Sequence, residues 1–349
     1  MSRIAVFSKY FGYGVGGAEH SMLALMRSLQ AQGHQIVAYV NSHPKHFGAA
    51  ERRLTLPAEW EQRPYTLPAD FLRFRFLEYR LNKRYLQRLA AGMADVDCLY
   101  AYGNLAPAVI NAFAGRTVYL VRDEHGLGWN RNYYPGLRGL AQSLYHALEW
   151  PWRWRWRAEL RRAARKSRLV ANSQFIGREL QRLAPDSPLE VVYPQVDTDA
   201  LRRDYRQAAA LVSRAPGVVV IGDNVLKGGD IVRRVAARLP SLPFYVFDRQ
   251  YRAPQQQGNL HLLPWTEAGI VYRHARLVMV PSRWAEAFGR VVVEAQTLGI
   301  PVVGSRRGGI PEAMRDPRML VDDIERTEAW VEKIQDALSA PAPLPSTPP

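Results

Sequence analysis

"SRWAEAFGRVVVEAQTLGIPVVGSRRGGIPE", residues 282–312, holds two glutamates, Glu286 and Glu294, eight positions apart with Phe288 and Gly289 between them. Eight positions is a little over two turns of α-helix, so both carboxylates can lie near one helix face. Upstream, "RLVMVPS" (276–282) reads as a buried strand that Pro281 and Ser282 turn outward, and "GRVVVEAQTLG" (289–299) as a helix closed by Gly299. Phe288 and Gly289 then stand at a helix N-terminus, where free backbone amides favour an anion. Carboxylates suit hydroxyl-bearing ligands, because each oxygen accepts hydrogen bonds. Two solvated helix glutamates would show the same spacing, so spacing alone leaves both readings open.

Outward from this stretch, short apolar strands alternate with amphipathic helices. "RIAVFS" (3–8), "QIVAYV" (35–40), "VDCLYAY" (96–102), "TVYLVRD" (117–123) and "RLVANS" (168–173) form one series. After "VVYPQVDTDAL" (191–201) the pattern restarts with "GVVVIGD" (217–223), "PFYVFDR" (243–249), "NLHLLPW" (259–265), "RLVMVPS" and "PVVGSRR" (301–307). Such alternation predicts an α/β chain with two Rossmann-like parallel-sheet domains. In open α/β sheets ligands bind where loops leave the carboxyl ends of strands. The first such loop carries Gly14, Gly16 and Gly17, with Glu19 just inside the next helix. A tight strand–helix turn explains those glycines equally well, and they lack the G-x-G-x-x-G spacing of a dinucleotide site.

The chain has 349 residues, 47% of them apolar, and a formal charge of +15, which implies an anionic partner. Its only cysteine, Cys98, excludes an internal disulfide framework and a cysteine-based zinc site. No stretch resembles a signal peptide or a spanning helix, so a cytoplasmic protein is expected. "DVD" (95–97) invites a metal reading, but it leads straight into a strand, and no metal or other cofactor is expected.

Glu286 and Glu294, with the intervening "AFGRVVV", resemble the E-x7-E signature of retaining glycosyltransferase family 4, which has the GT-B fold. "GVGGAEH" (14–20), "ANSQFIGREL" (171–180), "VVYPQVDTDAL", "VIGDNVLKGGDIV" (220–232) and "GSRRGGIPEAM" (304–314) follow in the family's order. The resemblance implies two domains facing each other across a cleft. Residues 1–195 would bind the acceptor and 196–325 the nucleotide-sugar donor. A helix over 326–338 would return to the first domain, ahead of a disordered Pro-rich tail at 339–349. It further implies that Glu286 contacts the donor sugar, Glu294 the ribose and Lys227 the diphosphate. Gly16, Gly17, Asn224, Phe288 and Gly289 would line the donor, and His125 would face the sugar. Glu19, Asp123 and Glu124 are acceptor candidates. The chain departs from the family where a Gly-Arg pair usually precedes Lys-Gly. Here "IGDNVLKGG" has Asp223 and Asn224, and Arg283, Arg290, Arg306 and Arg307 are the candidates for that charge.

Two stretches concentrate the basic excess: "RFRFLEYRLNKRYLQR" (73–88), net +5, and "EWPWRWRWRAELRRAARKSR" (149–168), net +6. Tryptophan prefers a membrane interface and arginine prefers anionic headgroups. Arg73, Arg75, Trp152, Arg153, Trp154, Arg155, Trp156 and Arg157 are therefore expected to face an anionic membrane surface, with a glycan or lipid-linked acceptor nearby. A solvated pair of helices is the plainer reading. A UDP-sugar 2-epimerase or a basic nucleic-acid binder are the rival functions, but no nucleic-acid module accompanies these segments and no nucleic-acid partner is expected.

Overall fold

The computed structural model describes residues 1–13, 17–42, 53–70, 74–123, 127, 134, 136–212 and 215–339. The chain divides after Tyr193 into two α/β units. In chain order the first holds β1 (Arg3–Phe7), α1 (Gly17–Ala31), β2 (Gln35–Asn41), β3 (Glu61–Tyr65), α2 (Arg75–Ala91) and β4 (Cys98–Tyr102). It continues with α3 (Ala106–Ala112), β5 (Arg116–Val121), α4 (Gly136–Lys166), β6 (Arg168–Ala171), α5 (Gln174–Leu183) and β7 (Leu189–Val191). The described strands form one sheet in the order β3-β2-β1-β4-β5-β6-β7, every pairing parallel.

The second unit runs α6 (Thr198–Gln207), β8 (Gly217–Ile221), α7 (Gly229–Arg238), β9 (Phe244–Asp248), β10 (Gln255–Gln257), β11 (Leu260–Pro264) and α8 (Ala268–Arg273). Then come β12 (Ala275–Val280), α9 (Arg290–Thr297), β13 (Val302–Ser305), α10 (Ile310–Ala313), β14 (Leu320–Val321) and α11 (Thr327–Ser339). Its sheet order is β10-β11-β9-β8-β12-β13-β14, parallel except for the exposed edge strand β10.

Runs such as Ile4–Phe7 and Val218–Val220 are apolar throughout because helices cover both faces of a parallel sheet. In each sheet the strand order reverses beside the first strand, between β1 and β4 and between β8 and β12. Those are the switch points where a ligand crevice opens at the strands' carboxyl ends.

The helix expected over 326–338 is α11, Thr327–Ser339. Helix α11 packs on α7 and the strands of its own unit, with Trp330, Ile334 and Ala337 in that unit's core and the Trp330 indole donating to Ile324 O at 2.9 Å. Three apolar residues at helical spacing have a buried seat there, which fixes the helix. Residues 149–166 belong to a longer helix, α4, whose interior Pro151 removes one i→i−4 bond, and Arg168 opens β6. No helix among the described residues is long and apolar enough to cross a membrane. The Pro-rich tail from residue 340 lies outside the described residues.

Candidate functional site

At the carboxyl end of β8 the chain turns through Gly222–Asn224 into a single 3-10 turn, Val225–Lys227. The Asn224 carboxamide oxygen accepts from Lys227 N at 3.0 Å, which fixes where the lysine side chain departs. Gly228 follows with φ 76°, and a Cβ there would sit 2.2 Å from Pro281 O. Only glycine lets the β8 loop press against the β12 loop this closely. Leu226 O accepts from Arg283 N and Trp284 N, completing the junction.

Glu286 lies in the β12 loop, not on the helix, since α9 begins at Arg290. Its backbone is locked from the other side: Gly309 N donates to Glu286 O at 2.6 Å, and a Cβ on Gly308 (φ 56°) would stand 2.2 Å from that same oxygen. The Ser305 hydroxyl donates to Ser282 O at 2.8 Å, tying the β13 loop to the β12 loop. Three loops from adjacent strands thus converge on one glutamate.

The Glu286 carboxylate accepts from Lys227 Nζ at 2.5 Å and from Ser282 Oγ at 2.8 Å. Glu294, one turn into α9, accepts from Tyr272 OH at 2.8 Å and from Arg290 at 2.9 Å. Tyr272 is fully buried, so it anchors Glu294 from the core side. Each carboxylate therefore carries one fixed neutral donor and one cation. Lys227 and Arg290 are each 39% exposed, so both cations remain within reach of a ligand. Gly289, the N-cap of α9, makes no side-chain cap bond. Phe288, by contrast, is 3% exposed: its ring fills the core, and only its backbone can serve a ligand.

The four candidate arginines separate by what they already hold. Arg283 is buried and clamps Asp230 and Glu325 while donating to Val225 O. Those contacts hold both acids below the usual carboxylate range and use up the guanidinium as a strut. Arg306 pairs with Asp322 at 2.5 Å. Arg290 borders the site and keeps a buried Nε without a hydrogen-bond partner. Arg307 is exposed beside Gly308. Asp223 is likewise committed: burial would raise its carboxyl, but bidentate Arg233 and the Tyr251 hydroxyl lower it below the ordinary value.

In the first unit Gly17 opens α1, and Glu19 is buried one turn in, accepting from Tyr102 OH at 3.4 Å. Asp123 is exposed just past β5. Gly16, Glu124, His125 and Arg73 lie outside the described residues. Sequence reasoning passed over two groups here. Arg122, at the end of β5, is pushed below the ordinary arginine range by burial, with Tyr102 and Glu19 opposing. Lys9, at the end of β1, lies 2.6 Å from Asp70 and 2.5 Å from Glu78. Burial would lower the Lys9 ammonium, but the two carboxylates outweigh it and hold it above the ordinary range. A charged residue within two positions of a buried strand's end was the available signal for both.

The basic-aromatic segments are sorted by the helix. Trp154 is 67% exposed, but Trp156 is 1% exposed, with its indole donating to Asn104 O at 2.8 Å and its ring against Phe76 and Tyr79. Trp156 is thus a core residue of the first unit and not a membrane-facing one. Trp152, Arg153 and Arg157 are partly buried, Arg155 is exposed, and Arg75 lies over the Phe76 ring. The "DVD" carboxylates serve surface contacts, Asp95 pairing with Arg63 and Asp97 accepting from Arg3 N.

Residues 15–200 match the family model for Glycosyltransferase Family 4, and residues 248–346 match Glycosyl transferases group 1. A D-inositol 3-phosphate glycosyltransferase of Mycobacterium tuberculosis is 35% identical over 173 residues, 43% of this chain and 36% of that relative. The match therefore spans little over a third of that relative's length. Sucrose-phosphate synthase from Thermosynechococcus elongatus superposes with a TM-score of 0.71 at 15% identity, covering 97% of this chain and 90% of that one. Anabaena HepE in complex with UDP-glucose gives 0.62 at 15% identity, covering 97% and 92%. At such identity these two likenesses establish the fold, the GT-B pair of parallel-sheet domains.

Proposed function

The chain belongs to Glycosyltransferase Family 4, and on that premise we propose that it moves a sugar from a nucleotide-sugar donor to a hydroxyl of a glycan or lipid-linked acceptor. Transfer retains anomeric configuration and needs no metal ion. The observation that carries this reading is the convergence of Lys227, Glu286, Arg290 and Glu294 at the switch point of the second sheet, each carboxylate resting on a cation. UDP-glucose bound to a protein of the same fold supports a nucleotide-sugar donor.

Donor entry exchanges partners. The diphosphate takes Lys227 and Arg290 and releases Glu286 for the sugar hydroxyls and Glu294 for the ribose. Asn224, Gly289 and the amides at the start of α9 complete the phosphate cradle. As the bond from the anomeric carbon to the phosphate oxygen breaks, Lys227 neutralises the charge gathering on the leaving group. The acceptor oxygen bonds to the same face of that carbon, and its proton passes to the departing phosphate. Both glutamates are binding groups here, so no flanking acid–base and nucleophile pair of the hydrolase type is invoked.

The enzyme would act at the cytoplasmic face of the cell membrane in envelope polysaccharide or glycolipid synthesis. The net +5 and +6 segments, exposed Trp154 and Arg155 support this placement. The test is a thermal-shift screen against UDP, GDP, ADP, dTDP and CMP, followed by NMR of the product formed with EDTA present. We expect Glu294→Ala to weaken nucleotide binding by about 1.5–3 kcal/mol, and Glu286→Ala chiefly to lower kcat. Wild-type binding and turnover in both variants would remove the assignment, and an epimerised free nucleotide-sugar would favour the epimerase instead.

A further inference from the structure

Helices α2 and α4 enclose a groove of about 270 Å³ in the first unit, and no donor-loop residue lines it. Phe76, Tyr79, Trp152 and Trp154 form its walls, while Arg80 and Arg155 stand exposed at its edge. Lys83 and Glu159, also in the lining, neutralise each other at 3.0 Å, so the two arginines set its charge. Tyr79 is 3% exposed, and its buried hydroxyl has no hydrogen-bond partner. Phe76 and Tyr79 pack against the buried Trp156 ring, so these walls are fixed by the core.

An apolar cavity of about 150 Å³ takes a benzene, so this one has room for a hydrocarbon segment of roughly twice that size. That suits one chain and not the paired chains of a phospholipid. The N-terminal half of α4 continues the apolar surface. Leu137, Leu140, Leu144 and Leu148 are 85%, 60%, 60% and 66% exposed, at spacings that place them along one side of the helix. A contiguous exposed stripe of this kind marks an interaction face. Leucines do not stack bases, which argues against a nucleic-acid strand as the occupant. Exposed guanidinium groups in the groove lining favour phosphate, which arginine binds through two parallel N–H donors.

We propose that the α2–α4 groove binds the chain of a single-chain lipid phosphate, with Arg80 and Arg155 on the phosphate and the leucine stripe of α4 against the bilayer that supplies it. Bound in this way, the lipid's phosphate head would lie beside the first unit. It is separate from nucleotide binding, so it can fail while the transferase reading stands.

The experiment titrates full-length protein with monodecyl phosphate below its micelle concentration and follows tryptophan fluorescence, with farnesyl phosphate, decanol and inorganic phosphate alongside. Both lipid phosphates should give a saturable blue shift, with decanol weaker by about tenfold or more and inorganic phosphate silent. Ala158→Phe, which places a ring in the groove lining, should abolish the response. Arg80→Gln with Arg155→Gln should remove the preference for decyl phosphate over decanol. A nucleotide thermal shift equal to wild type verifies folding of each variant, and the two arginine changes lie on exposed positions should Ala158→Phe misfold. Saturable binding unchanged in Ala158→Phe, an undiminished phosphate preference in the double variant, or no saturable binding at all would overturn the proposal. So would a single-stranded oligonucleotide that shifts the fluorescence where decyl phosphate does not. Quenching by vesicles of brominated phosphatidylglycerol that is equal in wild type and Ala158→Phe would assign the face to bilayer headgroups and remove the groove from the account.

Discussion

Removing Lys227 exposes the charge logic of the donor site most directly. Its ammonium sits 2.5 Å from Glu286, which also accepts from the Ser282 hydroxyl. Lys227→Ala therefore does two things: it deletes a cation from the diphosphate, and it leaves an uncompensated carboxylate beside the incoming phosphates. The first loss is about 1.5–3 kcal/mol, the worth of a hydrogen bond to a charged group. For the second, two like charges about 6 Å apart repel by roughly 0.7 kcal/mol in bulk water and ~2.8 kcal/mol at an effective dielectric near 20. Because Lys227 is 39% exposed, the lower part of that range applies. UDP affinity measured by calorimetry should then fall by about 2–4 kcal/mol, a factor of roughly 30 to 1,000, and kcat/KM by at least about 10². The double variant Lys227→Ala with Glu286→Gln should bind UDP more tightly than Lys227→Ala alone, because the repelling charge is gone. If the double variant binds no better, the carboxylate is not felt by the nucleotide. If Lys227→Ala alone binds UDP and turns over normally, Arg290 or Arg307 carries the diphosphate.

Gly308→Ala should lower both thermal stability and turnover, because its methyl would meet Glu286 O at 2.2 Å in a backbone conformation with φ 56°; unchanged melting and rate would disprove that close packing. Asp223, Asp230 and Glu325 are all held below their ordinary carboxyl values by arginine partners. Their contribution is complete above about pH 5, clear of the ordinary Asp and Glu values, and is lost as pH falls through the lowered folded-state values. Urea midpoints measured from pH 7 down to pH 3 should therefore drop, and Arg283→Gln should be less stable at pH 7 with a flatter profile; parallel profiles would refute the link. Trp156→Ser should cost about 3–5 kcal/mol of stability, whereas Trp154→Ser should cost well under 1 kcal/mol, and equal urea midpoints for the two would contradict their burial.

Both sheets were readable because a parallel strand covered on both faces is apolar without interruption, as in Ile4–Phe7 or Val218–Val220. Edge strands offer no such signal. β3 is "EQRPY", with only Tyr65 buried, and Pro64 is tolerated there because an edge needs no donor on its open side. β10 is three exposed glutamines. The "WPWRWRWR" run misled for a different reason. A helix turns about 100° per residue, so tryptophans two apart point to nearly opposite sides and those four apart share a side. Trp150 and Trp154 are accordingly exposed, while Trp152 is partly buried and Trp156 is in the core. The E-x7-E spacing was legible, and the helix expected over 289–299 already left Glu286 ahead of it, as α9 does. Glu286 reaches the site from a loop whose shape depends on Gly228, 58 positions before it, and Gly308, 22 positions after it, close approaches that no local pattern announces.

The cations show what a composition cannot. A surplus of +15 reads as one electrostatic statement, yet the fold divides it into groups with different duties. Arg283 and Arg233 are spent inside the second unit, each held by carboxylates in bidentate contacts that set loop geometry. Lys9 is spent in the same way in the first unit, between two buried acids. Lys227 and Arg290 are paired but half-open, so their partners can be exchanged for a ligand's phosphates. Arg80 and Arg155 stand exposed beside aromatic walls. A buried cation that loses its carboxylate is strongly destabilising, whereas an exposed one changes little. Neutralising Arg283 should therefore unfold its unit before it alters ligand binding, and neutralising Arg290 should do the reverse. The difference follows from burial alone, since the two residues carry the same charge seven positions apart.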